Sequence, residues 1–264
     1  MHPDQDPRAS AFLRLLEVMD ELRIQCPWDA KQTMESIRHL SIEEVFELSE
    51  AIVANKPELI LEEVGDVLLH VVFYARIAQD NEWFNIEDVI HNLVQKLIRR
   101  HPHIYGDAKV RNSQEVAKNW EQIKQSEKKK SAQNNGYLSG VPAALPALIK
   151  SLRMQEKASQ AGFDWDNKEE VLLKVKEEWN EFFEAQSAQN KEEEFGDLLF
   201  SLINYARHEN LNPDLALERA NQKFKRRFEA MEKMAKTHAL SLNELSLEKW
   251  DELWNEVKKS ESNS

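Results

Sequence analysis

At 264 residues the chain suits one large domain or two small ones. Its hydrophobic content of 41% can fill a core, and six Gly with eight Pro punctuate too little for many strands and hairpins, so an all-α protein is expected. A net charge of −12 argues against non-specific nucleic-acid binding, and the single Cys26 excludes a disulfide framework. No apolar run approaches the ~20 residues that cross a bilayer, and no stretch has the pattern of a cleaved leader. The expectation is a soluble, cytoplasmic protein with neither a membrane nor a nucleic-acid partner.

In chain order, residues 1–7 are expected to fray. From Ser41 to Ala54 the apolar residues Ile42, Val45, Leu48 and Ile52 recur at three- and four-residue steps, which predicts a helix. Pro57 biases Lys56 away from helical geometry and closes that element. A second helix is expected from about Glu58 to Ala78, making an αα-hairpin. The stretch "QSEKKKSAQNNGYLSG", residues 125–140, is polar, lacks apolar periodicity and carries Gly136 and Gly140, so it reads as a linker. Beyond it, helices are expected over about 169–185 and 191–208, separated by "QSAQN". Residues 260–264 are again expected to fray.

The two hairpins are copies. With Asp66 aligned to Asp197, Glu62/Glu193, Glu63/Glu194, Gly65/Gly196, Leu68/Leu199, Tyr74/Tyr205, Ala75/Ala206 and Arg76/Arg207 coincide. Outside them "PWD" (27–29) is echoed by "DWD" (164–166), "EEVFE" (43–47) by "EEWNE" (177–181), "KLIRR" (96–100) by "KFKRR" (223–227), and "WEQIK" (120–124) by "WNEVK" (254–258). Landmarks recurring in one order predict two tandem helical units, over 8–124 and 141–260.

The repeat is built around carboxylates. Glu44 and Glu47 are three apart on one helix face, and Glu63 with Asp66 repeats that spacing on the next helix. Counted from the turn at ~1.5 Å per residue, the two pairs fall near the same height of an antiparallel hairpin. Four facing carboxylates repel, and a hard divalent cation with oxygen ligands, Mg²⁺ or Mn²⁺, would neutralise them. Glu178, Glu181, Glu194 and Asp197 reproduce the set. A solvated acidic face is the plainer reading of one pair, and Ser41-x-x-Glu44 also fits a capping box. Val175 stands where Ser41 does, so capping does not explain Glu178, and duplication favours the metal. A di-iron bundle would use Glu-x-x-His, whereas the fourth position here is Asp66 or Asp197, and Ser201 replaces His70.

These patterns, EExxE followed by ExxD in both halves, with "PWD" and "RRHPH" (99–103), resemble the MazG nucleotide pyrophosphohydrolases. The resemblance covers nearly the whole chain. It implies an all-α fold of MazG-like bundle units, and Mg²⁺-dependent hydrolysis of nucleoside triphosphates to monophosphate and pyrophosphate. It also implies a homodimer or higher homo-oligomer. Carboxylate-held Mg²⁺ can orient water and bridge phosphates, while a spare carboxylate, Glu178 or Glu181, takes the proton. Lys223, Arg226 and Arg227 could clamp the phosphate tail, or form a solvated basic stripe. Trp254, which shares a face with Lys258, could stack on a base or pack in a core. Lys174, one turn before Glu178, faces Leu40 in the alignment, and Asn221 faces Val94. These two departures assign hydrolysis mainly to the second unit. A non-catalytic nucleotide or metal sensor and a purely structural helical dimer are the competing classes.

Overall fold

The computed structural model describes residues 6–130, 136–238 and 245–262. Among them every regular element is helical, and the chain divides after Gln133 into two compact units. The first holds α1 (Pro7–Gln25), α2 (Met34–Ala54), α3 (Pro57–Asp80), α4 (Ile86–Arg100), the single turn α5 (Pro102–Tyr105) and α6 (Ser113–Lys130). The second holds α7 (Ala147–Gln160), α8 (Lys168–Glu184), α9 (Ala188–His208), α10 (Pro213–Thr237) and α11 (Leu247–Ser262). In each, a hairpin (α2–α3 or α8–α9) packs beside a leading helix, and a second helix pair (α4–α6 or α10–α11) follows.

Local chemistry sets the hairpin ends. The α2 start lies seven residues earlier than the apolar period suggested, because Thr33 and Ser36 form a reciprocal capping box. Ser41 therefore lies two turns inside α2 and caps nothing; its hydroxyl bonds the Ile37 carbonyl and meets His70 and Tyr74. Asn55 closes α2 in the left-handed conformation, at φ 52°, and Pro57 then opens α3. The break before α9 is shorter than "QSAQN", since Ser187 caps the helix on the Asn190 N–H.

Two expected boundaries change. Residues 125–130 continue α6, and Tyr137–Gly140 form a 3₁₀ turn; residues 131–135 of the expected linker lie outside the described set. Glu127 supplies the reason: it accepts from both Arg99, at 2.5 Å, and Arg100, at 2.6 Å, tying the end of α6 to α4. At the other end α11 runs to Ser262, through the first three of the residues expected to fray, with 263–264 outside the described set, and Glu261 makes the same double contact to Arg226 and Arg227. Of the residues expected to fray at the start, Pro7 opens α1 and 1–5 lie outside the described set.

The buried core of the first unit is Met19, Ile37, Val72, Phe73 and Ile77, which joins α1, α2 and α3. Met231, Ala235, Leu253 and Val257 seal α10 against α11. No helix of the described residues is long and apolar enough to cross a membrane.

Candidate active site

Each hairpin gathers three carboxylates. Glu44, Glu63 and Asp66 each offer an oxygen within 4.8 Å of the others, and Glu178, Glu194 and Asp197 do the same. The three-residue spacing puts Glu63 with Asp66, and Glu194 with Asp197, on one helix face, and the hairpin turn supplies the third acid from the neighbouring helix. Glu47 and Glu181, the fourth acid of each set, are exposed and stand outside these triplets. Their neighbours still register. Burial, and then the Asp66 and Glu47 charges, push the Glu44 carboxyl up; burial and Glu47 do the same to Glu63. Burial and the Glu178 charge raise the Glu181 carboxyl.

Such a site costs free energy unless a cation enters it. Glu63 Oε2 is buried without a hydrogen-bond partner, an orphaned acceptor of the kind a ligand completes. Oxygens bound at ~2.1 Å around one octahedral ion lie roughly 3–4.2 Å apart, so modest side-chain rotation closes either triplet on a hard divalent cation. The donor set fits.

The two triplets are neutralised differently. In the second unit Lys174 Nζ lies 2.6 Å from Glu178 Oε1 and 2.8 Å from Glu177 Oε1, and these hydrogen bonds, Glu177 first, raise the ammonium pKa. In the first unit Leu40 stands in that place, and among the described residues the ion-pair partner of Glu44 is His70, whose Nε2 is 3.8 Å away. The other His70 nitrogen meets Ser41 Oγ at 3.1 Å, and Ser41 meets the Tyr74 hydroxyl at 2.7 Å.

A cavity of about 390 Å³ opens beside the second triplet, within the size range of small-molecule sites. Lys174, Glu178 and Asp197 stand on its wall, and Met154, Phe163, Trp165 and Phe200 make it largely apolar. The "GFDW" turn shapes one side: Gly162, at φ +89°, permits the reversal. Burial alone would raise the Asp164 carboxyl, but hydrogen bonds from Arg207, Ser159 and His208 outweigh it and hold that group well below the usual carboxylate range. Asp164 thus anchors the turn to α9.

Asn221, Lys223, Arg226, Arg227, Trp254 and Lys258 lie on α10 and α11, and none of them lines this cavity. Arg226 and Arg227 are held by Glu261 at 2.9 and 2.8 Å. Arg227 also lies over the Trp254 ring, at 5.5 Å from its centroid, and Trp254 packs on the α10–α11 core. Asn221 donates to Glu218 at 3.4 Å, while Lys223 and Lys258 are exposed.

Sequence reasoning did not single out Gln155 and Asn204, which are buried and line the cavity. Their signal was a lone amide interrupting an apolar helix face, as in "LLFSLINYAR". It also missed Glu127 and Glu261, although "WEQIKQSE" and "WNEVKKSE" repeat through the final acid.

A twice-built all-α hairpin with three clustered carboxylates per copy defines a class of helical protein whose acid-centred sites suit a hard divalent cation. Residues 32–105 match the MazG nucleotide pyrophosphohydrolase domain. The chain is 45% identical over 249 residues to the nucleoside triphosphate pyrophosphohydrolase/pyrophosphatase MazG of Thermotoga maritima, covering 94% of this chain and 95% of that protein. It is 40% identical over 256 residues to the nucleoside triphosphate pyrophosphohydrolase of Escherichia coli, covering 94% and 97%. A solved mazG-related protein from Thermotoga maritima is similar at 29% identity and a TM-score of 0.39, over 43% of this chain and 98% of that one. The chain belongs to the MazG family of nucleotide pyrophosphohydrolases.

Proposed function

We propose that the chain hydrolyses nucleoside triphosphates to monophosphate and pyrophosphate, that it depends on Mg²⁺ or Mn²⁺, and that the second unit, over 141–260, carries most of the turnover. The relatives' names supply the reaction class. The observation that supports the second unit is Lys174 beside Glu178 at the wall of a cavity, where the first unit has Leu40.

Glu178, Glu194 and Asp197 would hold the divalent ion, which when bound neutralises phosphate charge and lowers the pKa of water. Lys174 sits one helical turn from Glu178, where its ammonium meets a phosphate oxygen once the substrate competes for it. The water oxygen bonds to the α-phosphorus, the bridge from that phosphorus to the β-phosphate oxygen breaks, and the electron pair stays on pyrophosphate. Glu181 takes the water proton. It stands outside the triplet, which leaves its carboxylate available for the proton while the other three acids hold the ion.

Incubation of the full chain with ATP and Mg²⁺ tests this reading. AMP and pyrophosphate should form in equal amounts. ADP with inorganic phosphate, or nucleotide binding without turnover, would refute it. Glu181→Ala should lower kcat at least about 100-fold, and Glu47→Ala should leave most turnover; the reverse pattern would move the chemistry to the first unit.

A further inference from the structure

We infer that His70 is a nitrogen ligand to the divalent ion of the first unit, so that this half selects a first-row transition ion, where the second half, with oxygen donors alone, suits Mg²⁺. This rests on the metal reading of the two triplets and extends it to which ion each unit takes.

His70, on α3, is 8% exposed and stands one helical turn past Asp66, on the same face. Three contacts meet at Ser41 Oγ: the Ile37 carbonyl at 3.2 Å, His70 Nδ1 at 3.1 Å and the Tyr74 hydroxyl at 2.7 Å. A serine hydroxyl has a single proton to give. With that proton on the Ile37 carbonyl, all three contacts are hydrogen bonds only if His70 Nδ1–H and the Tyr74 hydroxyl both donate to Ser41. The ring is then the neutral tautomer, with its Nε2 lone pair free. A hydrogen bond at Nδ1 is how a metal-binding imidazole is held in tautomer and orientation. Nε2 lies 3.8 Å from Glu44 Oε1, too far for a hydrogen bond. Two acceptors thus face each other across a gap that suits two ligands of one octahedral ion, ~3–4.2 Å apart at bonds of ~2.1 Å. Glu63 Oε2, buried with no partner, is a further unfilled acceptor of the same site. Nε2 is not among the atoms already within 4.8 Å of one another, so an ion that binds it draws the carboxylates toward the ring.

The second unit lacks this relay. Position for position, Val175 stands for Ser41 and Ser201 for His70. Ser201 turns its hydroxyl to the Leu198 carbonyl at 2.9 Å, and Tyr205, in the place of Tyr74, donates to Glu209 at 3.1 Å. Lys174 already offsets Glu178 there, whereas Leu40 gives Glu44 no ammonium. Oxygen donors alone favour Mg²⁺; an added imidazole shifts the preference toward transition ions.

Pulsed EPR tests the ligand on the full chain, stripped with chelator and loaded with Mn²⁺ as the probe, without nucleotide. A metal-bound imidazole nitrogen modulates the electron-spin echo, and carboxylate oxygens do not. The wild type should show nitrogen modulation. Rising Mg²⁺ should displace the uncoupled Mn²⁺ first, so that the coupled share of the bound ion grows. His70→Gln should abolish the modulation, and Asp197→Asn, in the second unit, should leave it. Ser41→Ala, which keeps the ring but removes its anchor, should weaken the coupled Mn²⁺ about 10- to 100-fold. Three outcomes would overturn the assignment and leave the carboxylate sites standing: Mn²⁺ bound by the wild type without nitrogen modulation, modulation that survives His70→Gln or vanishes with Asp197→Asn, or coupled and uncoupled ions lost together to Mg²⁺. Absence of Mn²⁺ binding would instead sink the metal reading itself.

Discussion

At the residue scale, the sharpest difference between the two halves is the cation beside the first helix's acid. Lys174 stabilises Glu178 through charge-assisted contacts, whereas Glu44 has only a distant imidazole. Lys174→Met should lower kcat about 10- to 100-fold with a smaller change in KM, the signature of a group whose contact strengthens as pyrophosphate departs. Steady-state kinetics with ATP decide it, and a loss confined to KM would assign Lys174 to ground-state binding alone. This residue was legible in the sequence because duplication supplied an internal reference: Lys174 stood out against Leu40. The carboxylates were legible for the same reason. Gln155 and Asn204 occur once each, and a single amide on a helix does not reveal whether its face is solvated. Only the packed cavity gives them meaning.

At the scale of elements, the helix pairs were legible from period and punctuation, but their ends were set by side chains the period does not see. Thr33 with Ser36 lengthened α2, and Glu127 lengthened α6. The basic clusters of "KLIRR" and "KFKRR" compose well as anion binders, yet each supplies two arginines to one acid seven residues past a tryptophan. Hydrogen bonds from Arg100, and then from Arg99, hold the Glu127 carboxyl below its usual range; Arg227 and then Arg226 do so for Glu261. A carboxylate whose folded pKa is depressed stabilises the fold fully above its unfolded pKa of ~4.3, and loses that contribution as pH falls through the folded value. Glu127→Gln should cost about 1–2 kcal/mol at pH 7, since a charged, part-buried double hydrogen bond exceeds an exposed ion pair. Glu261→Gln should lower Tm in the same direction. Thermal melts across pH should show each variant's deficit constant above pH ~5 and closing below ~4. A deficit that persists at low pH would mean the acid contributes through packing. If Arg226 and Arg227 instead bind phosphate, Glu261→Gln would lower KM and leave Tm unmoved.

At the scale of the whole molecule, the hairpins present more apolar surface than a monomer normally tolerates. Leu61 is 77% exposed on α3, and Leu173 and Phe183 are 63% and 64% exposed on α8. The flank of α4 repeats the pattern with Leu93 and Val94, although that helix is strongly amphipathic in sequence and none of its residues is buried. Exposed apolar stripes of this size are the kind that mark interaction surfaces, and the homo-oligomer expected from the sequence would cover them, because a two-fold axis presents the same stripe twice. The glycines point the same way. Gly65 and Gly196 lie within helices, where Gly costs about 1 kcal/mol relative to Ala, and an added Cβ at either would meet nothing within 4 Å. Within the chain the space beside each is open, so only a surface from outside could be crowded by a Cβ there. Light scattering at micromolar concentration should therefore give at least twice the chain mass of 30.8 kDa. Leu173→Glu with Phe183→Glu should shift the protein toward the monomer. Gly65→Ala supplies the independent sign. In a monomer it should stabilise by about 0.5–1 kcal/mol through helix propensity, whereas against a closely packed second copy it should destabilise the assembly and make Tm depend more steeply on concentration. A stabilised Gly65→Ala variant of monomeric mass would remove the dimer from this account.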